Sequence, residues 1–364
     1  MNTPPSSSFH KLLINLSVIL PQPTGISNYA LNLIPYLKTL QPTLLTPKNY
    51  PNFNCYPVPP NLTPAQGIKG HLNRLIWTQL QLPKIYHQLK SQLLFSPIPE
   101  APIYTKCHSI VMGHDMIPLR FPQPFSPLTL YHRYYTPQVF KQAQHIICNS
   151  QATADDIMEF YQVPGSKITP IPLACDSSHF QFLNLPTRNY FLYIGRQHPY
   201  KNLRRLIVAF STIPHKNDYE LWLVGPTDKR YTPLLQTQIQ TLGIDHLVKF
   251  LNYVPYKELP IIINQALALV FPSLWEGFGL PVLEAMACGT PVITSNISSL
   301  PEVTGDAAIL INPYDPQEIA TAMTTIIYDS DCRKQLSKLG IKRAGEFSWQ
   351  KTGMATMEVF KNYI

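Results

Sequence analysis

Short apolar runs alternate with longer amphipathic stretches along most of the chain, a pattern that predicts parallel strands separated by helices. In the first half the runs Lys11–Ile19, Leu93–Ser96, Ser109–Gly113, His145–Asn149 and Lys167–Ile171 read as strands. Asn28–Lys38, Leu72–Lys90, Leu128–Ala143 and Gln151–Tyr161 read as helices, three of them interrupted by Pro35, Pro83 and Pro137. A proline inside a helix removes one hydrogen bond and clashes with the preceding turn, so each of these is expected to be kinked or short. A polar connector at Phe182–Arg188 separates this series from a second one. The second series predicts strands Tyr190–Ile194, Glu220–Val224, Val248–Leu251, Ala268–Phe271 and Pro291–Thr294. Its helices are Leu203–Phe210, Tyr231–Leu242, Lys257–Ile263, Pro281–Cys288, Pro316–Tyr328, Cys332–Gly345 and Trp349–Tyr363. The expected class is α/β: two Rossmann-like domains with parallel sheets, residues 1–185 and 186–346, and a cleft between them as the preferred ligand site.

Composition narrows the picture in a few places. With 45% hydrophobic and 14% charged residues the chain is globular. Met1–Ser8 reads as a polar tail. The apolar run Lys11–Leu20 is too short to span a membrane and lacks a small-residue cleavage site, so it reads as a buried first strand. The six cysteines form no CxxC pair and no metal-ligand spacing with histidine, and are expected as reduced, buried thiols in the cytoplasm. A net charge of +8 favours an anionic partner, either a nucleotide sugar or an anionic inner-membrane leaflet touched peripherally. The basic residues are scattered, which argues against nucleic acid.

The stretch Phe271–Thr294, FPSLWEGFGLPVLEAMACGTPVIT, carries the chemistry. Phe271 ends a strand, and Gly277 and Gly279 let the loop backbone approach a ligand. Pro281 suits the first helical position, and Gly289 with Pro291 stops the helix. The amides at that helix start, around Phe278, Gly279 and Leu280, form a ready diphosphate site. Glu276 in the loop and Glu284 one turn into the helix each offer two acceptor oxygens to hydroxyl pairs.

This stretch resembles the E-x7-E signature of the family-4 retaining glycosyltransferases, which have the GT-B fold, and SSLPEVTGDAAILINPYD after it resembles the same family. The resemblance is dense over Tyr190–Lys351 and traceable from Leu12. It implies two Rossmann-like domains facing across a deep cleft, with 347–364 (from the FSW word at Phe347–Trp349) returning to the first domain. It also implies that Glu276 contacts the donor sugar, Glu284 the ribose hydroxyls, and Gly277–Leu280 the sugar and diphosphate.

Three further clusters fit. YIGRQHPYKNLRRLI places Arg196 and Lys201 five apart after a strand, able to neutralise a departing diphosphate. GHDMIPLRFP places His114 after another strand, where the family's histidine contacts the donor sugar. Asp115 either orients it or caps the loop. PTGISNYALNL offers Gly25 for approach to the donor phosphates, although many relatives have two adjacent glycines there and this chain has Thr24–Gly25.

Leu128–Gln144 is basic and aromatic, and reads either as an acceptor or membrane interface or as a helix packed on its own domain. The only D-x-D word, Asp329–Ser330–Asp331, falls between two predicted helices and reads as a helix start. No metal or other cofactor is therefore expected, and the nucleotide diphosphate sugar is the co-substrate. The resulting expectation is a hexosyltransferase, leaning toward mannose, acting on a glycan or lipid-linked acceptor in surface-polysaccharide synthesis. A sugar-nucleotide epimerase or phosphorylase, or a non-catalytic sugar-nucleotide-binding protein, on the same scaffold is the alternative.

Overall fold

The computed structural model describes residues 11–20 and 25–364; the tail Met1–Ser8 and the positions Pro23 and Thr24 fall outside them. The chain forms two compact units. One comprises the described residues up to Leu173 together with Trp349–Ile364, and the other is Ala174–Ser348.

The first unit is built on seven parallel strands: β1 (Leu12–Asn15), β2 (Thr43–Thr46), β3 (Asn54–Pro57), β4 (Leu93–Ser96), β5 (Ser109–Gly113), β6 (His145–Cys148) and β7 (Ile168–Pro170). Their order is β3-β2-β1-β4-β5-β6-β7. Near-continuous apolar strands such as LLIN and LLFS are buried on both faces, as parallel sheets covered by helices require. One core layer gathers Val111, Phe140, Ile146 and Ile157, and another gathers Leu13, Leu45, Trp77 and Leu94.

The second unit has six parallel strands: β8 (Tyr190–Ile194), β9 (Glu220–Val224), β10 (Val248–Leu251), β11 (Ala268–Phe271), β12 (Val292–Ser295) and β13 (Ile309–Ile311). The order β10-β9-β8-β11-β12-β13 reverses direction between β8 and β11. In a doubly wound sheet that reversal splays the loops at the strands' carboxyl ends and leaves a crevice for ligands.

The two α/β units match the expected class, and several element bounds differ for physical reasons. The first strand stops at Asn15, whose side chain accepts from the Ser17 amide and hydroxyl and turns the chain out of the sheet. The prolines act as expected. Before Pro35 the α-helix Gly25–Leu33 tightens into a 3-10 segment, Ile34–Leu40, and before Pro83 one helix ends at Leu80 and another starts at Leu82. Pro137 follows a π-helical turn, Tyr131–Tyr135, between helical pieces Pro127–Leu130 and Thr136–Gln142. β2, β3 and β13 are short and were not foreseen. Asp329 caps the helix Ser330–Ala344 by accepting from the Asp331 and Cys332 amides, so the D-x-D word is a helix start.

The boundary between the units precedes Ala174 and is not the polar connector Phe182–Arg188. Residues ahead of that connector and at its start are held to the second unit: His179 stacks on Tyr256 at 3.9 Å, and Asn264 bonds both Gln181 and Leu183. The helix Trp349–Lys361 packs in the first unit. Phe360 is buried against Phe95 with ring centroids 4.9 Å apart, and Thr352 donates to the Pro172 carbonyl. No helix among the described residues is long and apolar enough to cross a membrane.

After β4 the proline-rich loop Pro97–Ile103 is clamped along its length. Glu100, fully buried, accepts from Arg74 Nε at 2.9 Å, Arg74 Nη2 at 3.1 Å and the Thr78 hydroxyl at 3.1 Å. The π turn aims Tyr131 at the Pro99 carbonyl and Tyr135 at the Ala101 carbonyl. Removing one member of a buried pair strands the other charge. Arg74→Ala is therefore expected to destabilise the first unit by about 3–5 kcal/mol, read from its denaturant unfolding transition.

Candidate functional site

Two loops meet at the β8/β11 reversal of the second unit. The first, after β8, runs from Gly195 into a 3-10 turn at Pro199–Lys201, and Asn202 at φ 64° opens the helix Leu203–Thr212. The second, after β11, leads through Glu276 and Gly279 into the helix Leu280–Ala287. They are stitched together by main chain and side chain: the Leu274 amide donates to the Tyr200 carbonyl at 2.7 Å, and Asn202 Nδ2 donates to the Pro272 and Pro313 carbonyls.

Lys201 Nζ donates to Glu276 Oε1 at 2.6 Å and lies 5.1 Å from the centre of the Phe271 ring. The pair is mostly shielded from solvent, so each charge depends on the other. The Glu276 amide donates to Ser298 Oγ at 3.1 Å, and the Ser299 hydroxyl bridges the Glu276 and Phe278 carbonyls at 3.0 Å each. These contacts fix the curve of the loop through Gly277. Phe278 is buried edge-to-face against Phe347, which fastens the loop to the end of the unit. Gly279 sits at φ 104°, where a Cβ would also come within 2.8 Å of Leu300, so this position requires glycine. Leu280 begins the helix with Pro281, which has no amide hydrogen, in its first turn, and the Val282 and Leu283 amides donate to the Gly279 carbonyl. The helix therefore brings the positive end of its dipole to the loop that carries Glu276.

Arg196 lies on the same loop as Lys201, exposed, while its carbonyl accepts from the buried Tyr193 hydroxyl at 2.7 Å. Burial, then the nearby Glu276 charge, holds the Tyr193 phenol well above its ordinary value and keeps it a donor. Gly225, after β9, packs so closely that a Cβ would stand 2.1 Å from the Gly195 carbonyl.

Glu284 points to a drier environment beside Cys175 and Cys288. Burial pushes its carboxyl up to about 7. Burial, then the Glu284 charge, carries both thiols up to about 12. Such a carboxyl exchanges a proton near neutrality.

The remaining predicted residues belong to the first unit. His114 follows β5, and its Nε2 lies 2.8 Å from the Pro97 carbonyl. A carbonyl only accepts, so that nitrogen carries the proton. Burial pushes the imidazole down to about 4, opposed by that hydrogen bond, so the ring is neutral at physiological pH. Tyr29 packs edge-on against it at 5.3 Å, and Asn149 donates to its carbonyl. Asp115 accepts from the Ile117 amide and caps the turn. Gly25 opens the helix Gly25–Leu33 with open space around it.

Sequence reasoning assigned no role to Ser298, Ser299, Asn202 or Asn149. The first two lie in SSLPEVTGD and the third adjoins Lys201, so each stood inside a quoted stretch without a signal of what it bonds. Among the described residues no three His, Cys, Asp or Glu side chains converge as metal ligands.

The model of Glycosyltransferase Family 4 matches residues 23–179, and that of Glycosyl transferases group 1 matches 176–343. The chain belongs to the group 1, family-4 glycosyltransferases. Within this family it is 32% identical over 231 residues to O-antigen chain mannosyltransferase B of Escherichia coli, covering 60% of this chain and 61% of that protein. It is 35% identical over 214 residues to O-antigen chain mannosyltransferase RfbU of Salmonella typhimurium, covering 58% and 59%. The chain thus spans about three fifths of the length of these relatives. Among solved structures it is similar to sucrose-phosphate synthase from Thermosynechococcus elongatus, with TM-score 0.74, 19% identity, and 97% and 98% of the chains covered. Anabaena HepE in complex with UDP-glucose gives TM-score 0.74 at 17% identity over 97% and 99%. These likenesses show the GT-B fold.

The raised Glu284 pKa has a consequence for stability. The folded state keeps the Glu284 proton above the pH at which an unfolded glutamate loses it. Stability of the unliganded protein is therefore expected to fall as pH rises from about 4.5 to about 7, by a few kcal/mol in all. Melting curves across that window check it, and Glu284→Gln should flatten this component of the slope.

Proposed function

We propose that this chain transfers a hexose, mannose in the first instance, from a nucleotide diphosphate sugar to a hydroxyl of a glycan or lipid-linked acceptor in surface-polysaccharide synthesis. The Lys201–Glu276 pair carries the reading. It sits where two carboxyl-end loops meet at the sheet reversal, next to a helix start. Such a place suits an anionic, hydroxyl-bearing ligand better than either apolar or cationic ones.

In this reading the diphosphate enters between the Leu280 helix start and the Arg196–Lys201 loop. Lys201 exchanges part of its bond with Glu276 for phosphate oxygens, and Arg196 closes from the surface. Glu276 turns its freed acceptor oxygens to sugar hydroxyls, and Glu284 receives the ribose. Gly277, Phe278 and Gly279 supply backbone amides, and Gly25 leaves open backbone at the start of its helix for phosphate oxygens. His114, neutral and with Nδ1 as acceptor, holds a sugar hydroxyl. Charge developing on the leaving diphosphate is met by fixed cations and amides, so no metal is required. Transfer retains the anomeric configuration, and the two glutamates bind and do not act as a glycosidase acid–base pair.

The mannose assignment is supported by the O-antigen mannosyltransferase relatives, while the UDP-glucose bound to HepE keeps a uridine donor in the comparison. We place the reaction in the cytoplasm, with the acceptor lipid at the inner membrane face.

A thermal-shift panel of GDP-, UDP- and ADP-sugars tests the reading. A true donor at about 100 times its Kd should add about 2.7 kcal/mol of stability, and a flat response to all of them would remove the donor site. In transfer assays at a temperature where the variant stays folded, Lys201→Ala should lower kcat/KM at least about 100-fold, and its melting temperature should fall because the Glu276 carboxylate loses its cation. EDTA should leave the rate unaltered. Incubation with donor alone should yield no epimer.

A further inference from the structure

Glu100 is the first acidic residue of the chain and is fully buried. It sits in PIPEAP, Pro97–Pro102, between β4 and β5, and its carboxylate is met by Arg74 and Thr78 of the helix Gly67–Leu80. Exchanging a buried ion pair for packed apolar side chains often costs nothing in stability, so stability alone does not account for it. The pair does fix the place of the residue that carries it. Gln79 extends the same grip along the loop: its amide nitrogen donates to the Ala101 carbonyl at 3.1 Å, and its oxygen accepts from the Ile103 amide at 2.9 Å.

The run ahead of Glu100 is stiff. Proline fixes φ at positions 97 and 99, and Ile98, which precedes a proline, is confined to extended backbone. The Glu100 amide donates back to the Ile98 carbonyl at 2.7 Å, closing a tight turn centred on Pro99, and the Tyr131 hydroxyl holds the Pro99 carbonyl. Few torsions are left free between the anchored carboxylate and the Pro97 carbonyl, so a shift of one moves the other. That carbonyl oxygen lies 2.8 Å from His114 Nε2. Burial keeps the ring neutral, and a neutral imidazole carries its proton on one nitrogen only. With the proton on Nδ1, the Nε2 lone pair would face an oxygen that only accepts. The Nε2–H form is therefore selected for as long as the carbonyl stays in place. Asn149, donating to the His114 carbonyl, and Tyr29, packed edge-on, fix where the ring stands; the loop fixes where its proton stands.

We propose that Glu100 is a positioning residue for His114: its pairing with Arg74 and Thr78 holds the Pro97 carbonyl on Nε2 and so keeps Nδ1 bare for a sugar hydroxyl, a role that rests on the proposed function of His114. Glu100 touches no substrate. It acts through main chain, by denying the imidazole its other tautomer.

Ring-nitrogen NMR of the full-length chain, labelled at histidine nitrogens, tests this without sugar or nucleotide, with the His114 signals assigned by their loss in His114→Gln. In the parent at about pH 7, Nε2 should carry the hydrogen and Nδ1 should resonate as a bare nitrogen. Glu100→Gln, measured below its melting temperature, should add the Nδ1–H form. If that variant does not fold, Arg74→Met with Glu100→Met strands no charge, should melt close to the parent, and should show the same second tautomer. An Nδ1–H ring in the parent overturns the proposal, as does a folded variant that keeps the parent's tautomer in full. Transfer assays give the second readout: the variant with the mixed tautomer should lose at least about tenfold in kcat while the donor KM stays within about threefold. An unchanged kcat in that variant overturns the positioning role. A parent that binds no nucleotide sugar removes the donor reading instead, and the nitrogen spectra still decide whether Glu100 governs the proton.

Discussion

Every strand of both sheets runs the same way, and that constraint decides where polar chemistry can collect. Parallel strands send all their carboxyl ends to one edge, while helices seal both faces with apolar side chains. The loops at that edge are where lysine, glutamate and glycine from different parts of the chain can converge. Where the strand order reverses, between β8 and β11, the loops diverge instead of covering each other. Lys201 and Glu276 are far apart in sequence, yet they meet there because each lies a few residues past the end of one of these two strands.

The pair also settles the charges carried by the two loops. A buried cation without a partner would be costly, and so would a buried carboxylate. Joined, the two hold the loops in shape. The serines behind them, Ser298 and Ser299, bond main-chain atoms and not the charges, so the curve of the loop does not depend on which partner Lys201 has. His114 shows the same economy in the first unit. Its proton is fixed by the Pro97 carbonyl, and the loop bearing that carbonyl is itself anchored by Arg74, Tyr131 and Tyr135.

Much of this was legible in the residues. Pro281, Gly279 and Gly289 bracket a short helix by local rules, and the strands Tyr190–Ile194 and Ala268–Phe271 stand out as apolar runs with the bounds observed. The strands β2 and β3 did not stand out, because four residues among prolines carry little period. Ser299 was invisible for a different reason: a hydroxyl bonding carbonyls some twenty residues away leaves no local trace. The hold of Glu100 on Arg74 and Thr78 left no local trace either, since more than twenty residues separate the partners.

The helix Trp349–Lys361 belongs to the unit whose strands are all complete by Pro170. During synthesis the first seven strands emerge long before Phe360 exists to cover Phe95, and the whole of Ala174–Ser348 is made in between. The first unit must therefore wait in a partly uncovered state until the second has been translated. Its last core residues arrive after a neighbouring domain is already able to fold, which ties completion of one unit to the timing of the other.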